Sequence, residues 1–76
     1  MDTERLVAMA NDIAAFFDAE AGPAAAENVR NHLSKYWEVR MRREIIAHLR
    51  KGGAGLVPTA REAVARLAPP ADSPNL

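Results

Sequence analysis

Two histidines, a glycine-rich turn and one dense run of aromatic and basic residues are where this sequence could do chemistry. His32 and His48 stand sixteen positions apart. That separation fits no short metal-ligand spacing, and no carboxylate pair completes a ligand set beside either ring. Each imidazole falls on an amphipathic helical stretch, so the expectation is a half-buried, hydrogen-bonded side chain. Gly52-Gly53-Ala54-Gly55 has the composition of a phosphate cradle. No lysine and serine or threonine follow at the required positions, and no strand precedes it, so it reads as a helix–helix turn. Ser34 and Thr59 have no base at an informative spacing. Glu62 and Arg66 form a solvent-side i,i+4 pair. No acid–base dyad emerges, and no catalytic residue is expected.

The segment Lys35-Tyr36-Trp37-Glu38-Val39-Arg40-Met41-Arg42-Arg43 differs from the rest. It packs the only Trp, the only Tyr, a Met and four bases into nine residues. Aromatics and arginine are enriched at the energetic centres of protein interfaces. The same rings are also what a small core needs, and a core role for Trp37 is weighed above an interface role. The arginines beside an aromatic platform could also bind nucleic acid. Only this one element is basic, so that reading ranks lower.

Four helices must position these residues. The first is expected from Thr3 to Asp18, with Leu6, Met9, Ile13 and Phe17 on one face and Asp2 or Thr3 as cap. Phe16 and Phe17 point about 100° apart on a helix, so one of them is expected outside the core. Gly22-Pro23 ends that helix and starts the next, Ala24 to Lys35, whose face is Ala26, Val29 and Leu33. The third runs from Val39 to Arg50 with Met41, Ile45, His48 and Leu49 together. A break near Trp37 is preferred because one helix from 24 to 50 would leave the core uncovered, although no glycine or proline marks it. Gly52 closes the third helix in the left-handed conformation. The fourth runs from Pro58 or Thr59 to Leu67. Either Thr59 and Glu62 form a capping box, or Pro58 is the first helical residue behind Val57, a poor cap. The expected fold is all-α: a small compact bundle of three to four short helices over residues 1–68, then a flexible Pro-rich tail over 69–76.

Length and composition bound the rest. The chain has 76 residues, 49% of them hydrophobic, with no cysteine. One thin core is all this length supports. Disulfides, thiolate catalysis and cluster ligation are excluded. No run of about 18 apolar residues is available to span a membrane, and a cytoplasmic location is expected. Ten bases balance ten acids, which argues against general nucleic-acid binding and leaves association easy. The balance hides a polarity. Residues 1–29 carry six acids and one base; residues 30–51 carry seven bases and two acids. Folding the two halves together to neutralise each other is slightly preferred over presenting the basic half to an acidic partner.

The run from His32 to Arg42, followed by Ile45, Leu49, Gly52-Gly53-Ala54-Gly55-Leu56, Pro58 and Ala63, resembles the delta subunit of NAD-dependent formate dehydrogenase. Leu6, Val7, Met9, Ala10, Asn11, Ile13, Phe16 and Phe17 resemble that family's first helix. The likeness covers residues 5–67. Glu38-Val39 stands where the family often has Asp-Pro, and Tyr36 stands where Phe is common. The resemblance implies a non-catalytic accessory subunit that supports assembly, maturation or stability of a formate-oxidising complex. It implies partners: the large alpha subunit, carrying a molybdenum or tungsten bis-pterin and Fe-S clusters, and other subunits carrying FMN and the NAD site. No cofactor is expected in this chain. The partner-binding residues it implies are His32, Lys35, Tyr36, Trp37, Arg40, Met41, Arg42 and Arg43. The alternatives carried beside it are a small nucleic-acid-binding module built on residues 39–50, and a homodimer through Met9, Ile13, Phe16 and Phe17.

Overall fold

Asp2 starts the first helix: its carboxylate accepts from the Arg5 N–H at 2.8 Å and satisfies one of the orphan donors of the first turn. The computed structural model describes residues 2–67, and the expected tail over 69–76 lies outside them. Four helices follow in order: α1 (Thr3–Ala21), α2 (Ala25–Tyr36), α3 (Val39–Arg50) and α4 (Pro58–Arg66), with a 3-10 turn at Gly22–Ala24 between the first two. The all-α bundle expected from the sequence is what forms.

α1 runs one turn past Asp18. Ala19, Glu20 and Ala21 are compatible with helix, so it continues until Gly22, at φ 54°, breaks it. α4 begins at Pro58 behind Val57, and no side chain caps it. Proline at this position loses no hydrogen bond. The Thr59 hydroxyl is engaged elsewhere, donating to Asp18 on α1 at 2.6 Å.

The core joins Leu6, Ala10 and Ala14 of α1, Val29 and Leu33 of α2, Ile45 and Ile46 of α3, and Ala60, Ala63 and Val64 of α4. Trp37, Leu56 and Leu67 close it from the two connections that flank α3 and from the residue just after α4. Ala10, Ala14, Ala60 and Ala63 are fully buried. Small side chains at those positions let the helix axes approach closely. α4 packs on all three other helices, most extensively on α2. α2 and α3 are consecutive yet barely touch; α3 packs on α1 and α4. The connection at Trp37 therefore has to send α3 away from its predecessor.

Candidate functional site

The corner between α2 and α3 is built around a buried indole. Trp37 is 5% exposed and lies in the core. Its backbone is extended (φ −86°, ψ 137°), as is that of Glu38 (φ −65°, ψ 158°). Two extended residues swing the chain out of one helix and into another. The Arg42 guanidinium spans the corner from α3, donating to the carbonyls of Ser34 at 2.9 Å and Trp37 at 2.7 Å. Those carbonyls are at the end of α2 and have no onward helical partner. A cation there also meets the negative end of the helix dipole. Met41 is half-buried against the core. Trp37, Met41 and Arg42 thus form the inside of the corner.

Its outside is formed by other members of the same run. Lys35, Tyr36, Arg40 and Arg43 are exposed, Tyr36 to 64%. The Lys35 ammonium lies 5.6 Å from the Tyr36 ring centroid, within cation–π range. Val39, Arg40, Arg43, Ala47 and Arg50 make the exposed stripe of α3, which holds three bases and no acid. Glu44 points away from that stripe and accepts from the Thr3 hydroxyl on α1.

His32 sits between rings. Its imidazole centroid is 4.8 Å from Tyr36 and 6.2 Å from Phe17; Phe17 in turn meets Phe16 edge-on at 5.1 Å. The four rings form a continuous ladder from α1 across to the end of α2. Phe17 is half-buried against the core and Phe16 is 59% exposed, so the pair divides between inside and outside as their angular separation requires. Reading the two helices separately hides this ladder: the spacing within α1 flags Phe16 and Phe17, and the spacing within α2 flags His32 and Tyr36. Only the hairpin brings them together.

The glycine turn is a helix–helix connection held from three sides. Gly53 N–H bonds the His48 carbonyl at 3.0 Å and Gly52 N–H the Leu49 carbonyl at 2.9 Å. This is the paired closure typical of a helix ending in a left-handed glycine, and Gly52 has the positive φ expected of it. Arg61 of α4 donates to the carbonyls of Gly52 and Gly53 at 2.8 and 3.0 Å. His48 of α3 reaches the Ala54 carbonyl at 2.8 Å, so its Nε2 carries the proton. Asn11 of α1 donates to the Gly55 carbonyl at 2.9 Å and accepts from the Val57 N–H at 3.0 Å. Four successive carbonyls are thereby engaged by side chains, where a phosphate cradle would instead aim free N–H groups at a ligand. His48 is the half-buried, hydrogen-bonded histidine the sequence leads one to expect. His32 is half-buried too, but its contacts are with rings. Asn11 and Arg61 carried no sequence signal for this role.

Opposite charges meet at Glu27. Its carboxylate accepts from Arg30 at 2.7 Å and from Arg66 of α4 at 3.5 Å. The Arg30 hydrogen bond holds the Glu27 carboxyl below its ordinary value against desolvation, and the charges of Arg30 and Arg66 lower it further; the Arg30 guanidinium is raised in return, by its hydrogen bond to Glu27. Among the described residues no group of three or more His, Cys, Asp or Glu side chains is placed to hold a metal ion. Among the same residues no helix is long and apolar enough to cross a membrane.

Residues 5–64 match the family described as NADH-dependant formate dehydrogenase delta subunit FdsD. No curated protein and no solved structure matches the chain.

Proposed function

Because the chain belongs to the formate dehydrogenase delta subunit family, we propose that it is a non-catalytic accessory subunit that docks on the large catalytic subunit of such an enzyme. There it supports assembly, cofactor maturation or stability of the complex. The observation that carries this reading is the match across residues 5–64, which reaches into all four helices and covers both connections between α2 and α4. The two histidines support it from the chemical side. One sits edge-on to Phe17 and tilted against Tyr36, and the other clamps a turn, so both serve the architecture.

The docking surface we assign is the outer side of the corner: Lys35, Tyr36, Arg40 and Arg43, with His32 behind Tyr36. Tyr36 offers a rigid ring with a polar tip, and Arg40 offers a forked donor to carboxylates or carbonyl oxygens. Trp37, Met41 and Arg42 hold that surface in shape from within. The test is co-purification of the tagged chain with the large subunit from cells that make the enzyme. A Tyr36→Ala/Arg40→Glu/Arg43→Glu variant with an unchanged thermal melt should lose that subunit. Full retention by the folded variant would remove this surface from the interface, and absence of the large subunit from the wild-type eluate would remove the docking reading.

The basic stripe of α3 favours one second reading, contact with nucleic-acid phosphates. It requires binding to duplex DNA or RNA that weakens steeply with salt. The acidic face of α1 and the zero net charge weigh against it. No binding at low salt would dispose of it.

A further inference from the structure

Beside the ring ladder, α1 and α2 leave an open groove of about 320 Å³ lined by Asp12, Ile13, Phe16, Phe17 and His32. Its walls are apolar apart from the Asp12 carboxylate and the His32 imidazole. Phe16 stands at its edge with more than half its surface in water, so within this chain the ring gains little from burial. On α1, exposed carboxylates flank Phe16 one turn away on each side, Asp12 at i−4 and Glu20 at i+4. At His32 the groove meets the ring ladder, which continues to Tyr36 on the docking corner assigned above.

We propose that this groove is a second part of the same interface, and that it receives an apolar anchor side chain from a segment of the large subunit with Lys or Arg on both sides of the anchor. The proposal rests on the docking reading and extends it from a basic corner to an apolar, acid-rimmed groove. Charge selects the occupant. An anchor entering beside Phe16 brings its flanking residues against Asp12 and Glu20, so bases are attracted and acids repelled. A second copy of this chain is disfavoured by the same rule. Pairing this face on itself would set Asp12 and Glu20 of one copy close to the like acids of the other. The partner therefore meets two chemically opposite patches joined by one line of rings: bases outside the corner, acids beside the groove. That arrangement fixes orientation as well as contact.

The experiment replaces residue 16 with a photo-crosslinking phenylalanine analogue in the full chain, irradiates cells that make the enzyme, and maps the linked peptide. Capture of the large subunit by Phe16→Ser and Asp12→Arg is measured in parallel. We expect a crosslink to one large-subunit peptide containing a bulky apolar residue flanked by Lys or Arg. Phe16→Ser and Asp12→Arg should each weaken capture about tenfold or more while melting like the wild type. Retained capture by both, alongside loss in the Tyr36/Arg40/Arg43 variant, would overturn the groove and leave the docking reading standing. A crosslinked peptide without bases would overturn the assigned chemistry. A crosslink between two copies, with a mass that falls on dilution, would make the occupant a second copy and overturn the proposal. Failure of the wild type to capture the large subunit would remove the docking reading first and this one with it.

Discussion

The two connections that flank α3 solve one problem with opposite means. Between α3 and α4 the chain turns on glycines: Gly52, Gly53 and Gly55 all have positive φ, and side chains from α1, α3 and α4 tie the loop carbonyls down. Between α2 and α3 there is no glycine and no proline. The turn is made by two ordinary residues in extended backbone, held because Trp37 is drawn into the core and Arg42 occupies the carbonyls left behind. The first connection is specified locally, by backbone freedom. The second is specified by tertiary burial, and without the core it has no reason to break. Sequence near the turn dictates the one, and distant packing dictates the other.

That difference is most directly broken at Trp37. Trp37→Ala removes the burial that holds the corner open and leaves a cavity in a thin core. The expected loss is about 3–5 kcal/mol, comparable with much of the stability of so small a domain, which runs to about 5–10 kcal/mol. Denaturant unfolding should show a collapsed midpoint, and the freed segment should gain helical signal across 36–39. Trp37→Phe keeps a ring in place and should cost about 1–2 kcal/mol. A stable Trp37→Ala protein with an intact corner would mean that residues 37 and 38 turn on local preference after all.

On the glycine side the matching test is Gly53→Ala set against Gly22→Ala. Both glycines have similar positive φ, 65° and 54°. A methyl at Gly53 would lie 2.9 Å from Leu49 Cδ1, whereas at Gly22 it meets open space. Gly22→Ala should cost about 1–3 kcal/mol for the backbone alone, since φ 54° with ψ −119° is a conformation a Cβ disfavours. Gly53→Ala should cost about 2–3 kcal/mol, part of it the crowding of Leu49 and of the Arg61 guanidinium by the new methyl. A Gly53→Ala loss of only about 1 kcal/mol would show that both side chains give way freely. The side-chain ties come next. Arg42→Met and Asn11→Leu each remove two hydrogen bonds and should cost about 1–2 kcal/mol. Hydrogen exchange separates them: Arg42→Met should loosen the last turn of α2, and Asn11→Leu the Val57 amide.

The contrast also explains what could be read without coordinates. Gly22-Pro23 and Gly52–Gly55 are punctuation, and both turns lie where those residues put them. The break at Trp37 could be reached only by asking whether a helix from 24 to 50 would leave a core uncovered, an argument about the whole chain. Trp37 and Arg42 share a sequence neighbourhood with Tyr36 and Arg40, yet the structure sends the first pair inward and the second outward. Composition cannot sort them, because an aromatic-basic run satisfies an interface and a corner equally well. The ring ladder was illegible for a related reason. Phe16, Phe17, His32 and Tyr36 belong to two helices, and only the hairpin around Gly22–Ala24 puts them side by side. α1 ends one turn beyond Asp18 because nothing in Ala19-Glu20-Ala21 opposes helix, and the stop signal is Gly22 itself.

The smallest expected effect belongs to a contact outside both connections and sharpens them by contrast. Glu27 on α2 accepts from Arg30 and reaches Arg66 on α4, all three at the surface. Its folded carboxyl is lowered, so the unfolded chain binds the proton more readily. The stabilisation is therefore fully present above the ordinary carboxylate range, and it is lost as pH falls through the lowered folded value. Glu27→Gln should lower the thermal midpoint slightly at neutral pH and low salt. The gap to wild type should close both in acid and in high salt, since exposed pairs are screened. The hydrogen bonds removed by Arg42→Met and Asn11→Leu involve no carboxylate, so those deficits should persist across the same pH range. A Glu27→Gln deficit that survived acid would mean that the side chain packs against α4 rather than pairing with it, and that α2 and α4 are tied by shape alone.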